Sequence, residues 1–257
     1  MSLRLAFDMD GTLADFDAAL AEVADRLFPG RAKAAHGGRA RSSKAATAEA
    51  AAPPESTTDR PETVPTDPPG AEREVESALS HVLLTSRQQQ VVWRVARETE
   101  NFWETLGEIE SGSVRQLAAL ALEHQWEVIF LTQRPATAGN TSQVQTQRWL
   151  KRHGFAMPSV FVVPSGSRGR IANALDLHIV VDDRAENCLD VNVESKARAI
   201  LVWRKGPEAM PANAKRLGIG VVSSIAECLE VMCEIDALHE TPPSMLDRLK
   251  KRLGLGP

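Results

Sequence analysis

The sequence predicts an α/β fold, a parallel sheet covered by helices on both faces, with a small helical module inserted after the first strand. Three observations predict it. Beyond Gly107, short continuous β-branched runs alternate with amphipathic helical patterns, as strands buried on both faces do. One further apolar run, Leu3–Phe7, stands more than a hundred residues ahead of the next one. Acids, hydroxyls and bases gather where the runs stop, and open α/β sheets bind ligands at the carboxyl ends of their strands.

Taken in order, Leu3-Arg4-Leu5-Ala6-Phe7 is the first strand, and apolar residues at helical spacing follow from Ala14 to Phe28. The same spacing returns at Val75, Leu79, Val82 and Leu83 and at Val91, Val92 and Val95, which makes a helical module of 15–29 and 71–106. Residues 30–70 hold a single large apolar side chain, Val64, among Ala, Pro, Ser, Thr and charges. Such a stretch cannot offset its ordering entropy, so it reads as a disordered, low-complexity insertion. Residues 107–240, with 1–14, form the core: helices over Ser113–His124, Thr141–His153, Gly169–Leu175 and Ser224–Leu238 alternate with strands over Val128–Leu131, Val160–Val163, Ile179–Val181, Ala199–Trp203 and Gly220–Val222. A tail over 241–257 carries Met245, Leu246, Leu249 and Leu253 on one helical face among basic residues.

With 34 acidic against 30 basic side chains the formal charge is −4, so no chain-wide positive field exists to hold duplex nucleic acid or an anionic membrane. No apolar run approaches the roughly 18 residues of a membrane span. Three cysteines and no leader-like start point to a reducing cytoplasm. Cys228 and Cys233 lie on a predicted helix with no histidine near them in sequence and read as buried small hydrophobes.

Four strand ends carry chemistry: Asp8-Met9-Asp10-Gly11-Thr12, Thr132-Gln133-Arg134, the Ser165–Arg170 loop and Asp182-Asp183. The two-residue period of a strand sends the Asp8 and Asp10 carboxylates to one side. With Asp182 or Asp183 they make an oxygen-rich pocket suited to a hard divalent cation, most naturally Mg²⁺. Gly11 supplies a sharp turn, and the Gly11 and Thr12 N–H groups meet anionic oxygens as a helix begins near Leu13.

Together, Asp8-x-Asp10-Gly11-Thr12-Leu13, Thr132 after a strand, a basic residue before Leu175 and the Asp182-Asp183 pair resemble, in order and spacing, the four motifs of the haloacid dehalogenase-like superfamily. The resemblance implies a Rossmann-like core and a helical cap that closes over the site. It implies that Asp8 attacks phosphorus to give an aspartyl-phosphate, while Asp10 serves as general acid and then as base. Mg²⁺ would be held by Asp8, the Asp10 carbonyl and Asp182, with Asp183 a further or water-mediated ligand. Thr132 would bond a phosphoryl oxygen. The basic position, usually lysine, falls on Arg168 or Arg170, and spacing favours Arg168.

Within the superfamily, the run Asp8–Phe16, the segment Asn101-Phe102-Trp103-Glu104-Thr105-Leu106 and Ile179–Arg184 resemble 5′-nucleotidases of the deoxyribonucleotidase type. That implies a small phosphomonoester substrate, a (deoxy)nucleoside 5′-monophosphate, with Phe16, Phe102 and Trp103 as rings to contact it; Gln133 and Arg134 follow Thr132 in a loop placed to face substrate. A sugar phosphate or similar metabolite is the alternative substrate, and a non-catalytic phosphate-binding scaffold the alternative role. The oligomeric state is left open by the sequence.

Overall fold

The computed structural model describes residues 2–29, 84–206 and 217–240. Six strands, β1 (Arg4–Asp8), β2 (Glu127–Thr132), β3 (Ser159–Val162), β4 (Ile179–Asp182), β5 (Arg198–Val202) and β6 (Gly220–Val222), run parallel in the order β3-β2-β1-β4-β5-β6. The helices among the described residues are α1 (Phe16–Leu27), α2 (Ser86–Glu98), α3 (Ser113–Glu123), α4 (Ser142–Arg152), α5 (Arg168–Ala174), α6 (Ala185–Glu194) and α7 (Ile225–Glu240). A 3₁₀ turn occupies Phe102–Glu104. The expected insertion over 30–70, part of the second module segment and the tail over 241–257 lie outside the described residues.

Both faces of the sheet are buried, and the strand period of two divides the apolar side chains between two clusters. Leu5, Phe7, Phe130, Ile179, Val181 and Ile200 pack with Leu20 of α1, Val92 of α2, Leu117 of α3, Trp149 of α4 and Leu229 of α7. Ala6, Leu131, Val180, Ala199 and Leu201 face the other way, onto Ala172 of α5 and Val191 of α6. The described part of the helical module therefore shares one apolar cluster with the sheet. Helices α5 and α6 approach closely because residue 169 is glycine: a Cβ there would stand 2.2 Å from the Asp190 carbonyl oxygen.

Local chemistry accounts for the helix starts. Asp15 Oδ1 accepts from the Ala18 N–H at 2.9 Å, so α1 begins at Phe16 and not near Leu13. Thr85 and Gln88 close a capping box on α2, and the Thr141 hydroxyl accepts from Val144 N at 3.3 Å on α4. No described helix is long and apolar enough to cross a membrane.

Candidate functional site

Strands β1 and β4 pair with Phe7 opposite Val181, so Asp8 and Asp182 end the two strands side by side, where the strand order reverses. Asp183 is the next residue. One oxygen from each of Asp8, Asp182 and Asp183 lies within 4.8 Å of the others. Arg168, at the start of α5, is sealed in with them. Its Nη2 donates to Asp8 Oδ1, its Nε lies 2.9 Å from Asp182 Oδ2, and its Nη1 donates to the Leu131 carbonyl at 3.3 Å.

Three carboxylates against one buried guanidinium leave an excess of negative charge. Burial raises Asp8 well above the ordinary carboxylate range, with Arg168 opposing and Asp182, Asp183 and Asp10 adding to the rise. Burial, followed by the Asp182 charge, lifts Asp183 to about 7. The first turn of α6 orients Asp182: Asn187 Nδ2 donates to both of its oxygens at 3.0 Å, and the Arg184 N–H to Oδ1 at 2.9 Å. Asp183 Oδ1 is buried with no hydrogen-bond partner. Convergent carboxylates, an acceptor lacking a partner and proton affinity raised by burial and then by neighbouring acids are the donor set that a hard divalent cation satisfies.

Asp10 borders the same cleft as Asp8 and stands outside the group of three converging acids. Strand alternation stops at Asp8, and beyond it the Asp10 carboxylate pairs with Arg134. Arg134 Nε donates to Oδ2 at 2.8 Å and Oδ1 at 3.0 Å, and Nη2 donates to Oδ1 at 2.7 Å. Nη1 donates to Thr146 Oγ1 at 2.9 Å, and the guanidinium carbon stands 4.9 Å from the Trp103 ring centroid. Arg134 is thus a buried clamp on Asp10 and does not border the cleft.

Gly11 has φ +84°, and a Cβ there would stand 2.3 Å from Asp183 Oδ2. Its N–H donates to the Ala14 carbonyl at 3.1 Å, so this donor, expected to face an anion, is used inside the turn. Arg204 ties the same turn down, donating to the Gly11 carbonyl at 2.8 Å, the Thr12 carbonyl at 3.2 Å and Glu110 Oε1 at 2.6 Å.

A cleft of about 440 Å³ opens beside the acids, bordered by Asp8, Asp10, Asp183, Phe16, Gln133, Arg168, Arg184, Trp203 and Lys205 among others. Gln133 Nε2 is buried there with no hydrogen-bond partner. Thr132 and Thr12 are buried and do not border the cleft; the Thr132 hydroxyl accepts from Arg134 N at 3.3 Å. Phe102 and Trp103 are core residues, 2% and 1% exposed, with ring centroids 5.2 Å apart. The expected substrate contact fails for them because Phe16, Trp93 and Trp103 close one aromatic cluster that binds α1 and α2 to the core. Arg170 lies on the outer side of α5, 70% exposed and 3.7 Å from Glu194, which removes it from the site.

Sequence reasoning missed Asn187, Thr146, Trp203, Arg204 and Lys205. Asn187 had a local signal, a polar residue one turn into the helix that follows the acid pair. The others arrive from distant strands and helices.

No protein-family model and no curated protein matches the sequence. Solved structures do. A dehalogenase with an intermediate complex is 12% identical over 90% of this chain and 97% of that one, with a TM-score of 0.50. The L-2-haloacid dehalogenase from Xanthobacter autotrophicus with chloropropionic acid covalently bound is 12% identical over 90% and 98%, with a TM-score of 0.48. A HAD family hydrolase from Deinococcus radiodurans with bound phosphate and sodium is 14% identical over 91% and 96%, with a TM-score of 0.47. At such identities the likeness concerns the fold: a parallel six-stranded sheet between helices, the Rossmann-like fold of the haloacid dehalogenase-like hydrolases.

Proposed function

We propose that this chain is a Mg²⁺-dependent phosphomonoester hydrolase that works through an aspartyl-phosphate on Asp8 and takes nucleoside 5′-monophosphates. The convergence of Asp8, Asp182 and Asp183 around a shared space, with Arg168 buried among them, carries the reading. Those three carboxylates, with the Asp10 carbonyl, would hold the cation, which neutralises their mutual repulsion and charge on the phosphoryl oxygens.

In this reading Asp8 Oδ attacks phosphorus and the leaving alkoxide takes a proton from Asp10, which then draws a proton from the water that cleaves the acyl phosphate. Arg134 and Thr146 fix the direction of the Asp10 carboxylate. Gln133 and Arg168, which border the cleft, donate to the phosphoryl oxygens, and Thr132 stays buried behind them; the Gln133 Nε2, buried at the cleft without a partner, supports this role. An aligned proton donor favours an ester over a carbon–halogen bond, because halide departs without a proton. The α1–α2 module is read as the cap. Phe16 and Trp203 replace Phe102 and Trp103 as the aromatic surfaces for a base, since both border the cleft.

A panel of nucleoside monophosphates, sugar phosphates and para-nitrophenyl phosphate, assayed with Mg²⁺ and with a chelator, tests this. Phosphate release with Mg²⁺ is expected, lost by at least about 10³-fold in folded Asp8→Asn. No release from any ester, or an active Asp8→Asn, overturns it. Higher kcat/KM on sugar phosphates, unaffected by Trp203→Ala, would leave the hydrolase and replace its substrate.

A further inference from the structure

At the other end of the sheet, where β2 begins, three side chains remote in sequence meet. Asp236 of α7 is buried, and its Oδ2 lies 2.9 Å from His124 Nδ1 and accepts from Trp126 Nε1 at 3.1 Å. A carboxylate oxygen can only accept, so the neutral His124 ring carries its proton on Nδ1 and its lone pair on Nε2. Nε2 stands 3.9 Å from Cys233 Sγ. The imidazole is held on every side that matters: its face stacks on Trp126 with centroids 5.0 Å apart and an interplanar angle of 24°, its Nδ1 edge is tied to Asp236, and its backbone N–H caps α3 through the Leu120 carbonyl at 2.9 Å. Cys233 and Asp236 are three residues apart on α7 and so share a helical face.

This is a nucleophile, a base and a group that orients the base, in sequence along one line of contacts. The other two cysteines, Cys188 and Cys228, are buried in the apolar clusters, whereas Cys233 keeps partial access to solvent. Burial, then the Asp236 and Glu123 carboxylates, push the Cys233 thiol above its ordinary value, so the resting group is a thiol that needs a base at the moment of attack.

We propose that Cys233 is a modification site for small disulfides, activated by His124 as general base with Asp236 as its positioning residue. The Cys233 S–H proton passes to His124 Nε2 while the sulfur forms a bond to one sulfur of the disulfide. The disulfide's S–S bond breaks, and its second sulfur leaves as a thiolate that takes the proton back from His124. The products are a mixed disulfide on Cys233 and one free thiol, with no other oxidant required. The Asp236 charge stabilises the imidazolium formed in between.

Stopped-flow reaction of the full chain with 2,2′-dithiodipyridine, a neutral disulfide that Glu123 and Asp236 do not repel, tests it. Peptide mapping assigns the labelled residue. One fast thiol at Cys233 is expected, reacting roughly ten-fold or more faster than the same cysteine in the denaturant-unfolded chain and slowed by a similar factor in folded His124→Gln. Labelling confined to Cys188 or Cys228 overturns the proposal, and so does a His124→Gln rate within about two-fold of wild type. The comparison with the unfolded chain needs no variant, and a native Cys233 no faster than the unfolded one overturns the proposal by itself.

Discussion

The sheet carries buried carboxylates at both ends, and the two ends treat them differently. Asp236, beside the start of β2, is satisfied by an indole N–H and an imidazole. Asp8, Asp182 and Asp183, at the ends of β1 and β4, crowd one another around a single buried guanidinium, and one oxygen of Asp183 has no donor at all. A lone acid with fixed donors serves to orient what touches it. Acids packed together store repulsion that a cation can release, and this marks the end where the proposed hydrolysis takes place.

The sharpest way to break that contrast is at Arg134. It belongs to the crowded end but lies outside the cleft, touching Asp10, Thr146 and Trp103. Arg134→Lys keeps the charge and loses the fork, so kcat should fall by about ten- to a hundred-fold with KM nearly unchanged. A rise in KM with kcat intact would restore Arg134 to the substrate and remove it as a clamp.

A smaller effect separates the ends by cation and pH. Asp8 and Asp183 have folded-state values above their ordinary one, so the stability they contribute is fully present below 3.8 and lost as pH rises, for Asp183 through about 7. Added Mg²⁺ should therefore raise the melting temperature more at about pH 8 than at about pH 5. Equal shifts at the two pH values, or none, would mean that the crowded acids do not receive the cation. The smallest effect belongs to the end around Asp236. Asp236→Asn keeps an acceptor for Trp126 and should cost about 1–2 kcal/mol in chemical denaturation, with its Mg²⁺-induced shift the same as that of wild type.

Much of this architecture was legible in the chain itself. The β-branched runs at Val128, Ile179 and Ala199 became strands because period-two burial on both faces needs continuous apolar residues, and the hydroxyl cap at Thr141 set a helix start locally, whereas the Asp15 cap moved α1 past the start read near Leu13. Asp8, Asp182 and Asp183 were legible because strand ends in a parallel sheet converge by topology alone. Local pattern ran out where alternation ended: Asp10 lies past the last paired residue of β1, and its partner is 124 residues away.

The order of elements, the parallel sheet and the acids at its carboxyl edge are thus determined by sequence, since each follows from periodicity and from where a strand stops. Tertiary structure alone decided which side chain each acid meets. Arg134 against Asp10, Trp103 beneath Arg134, and His124 between Asp236 and Cys233 are contacts between segments that no local pattern links, formed when packing of the apolar clusters brings those segments together.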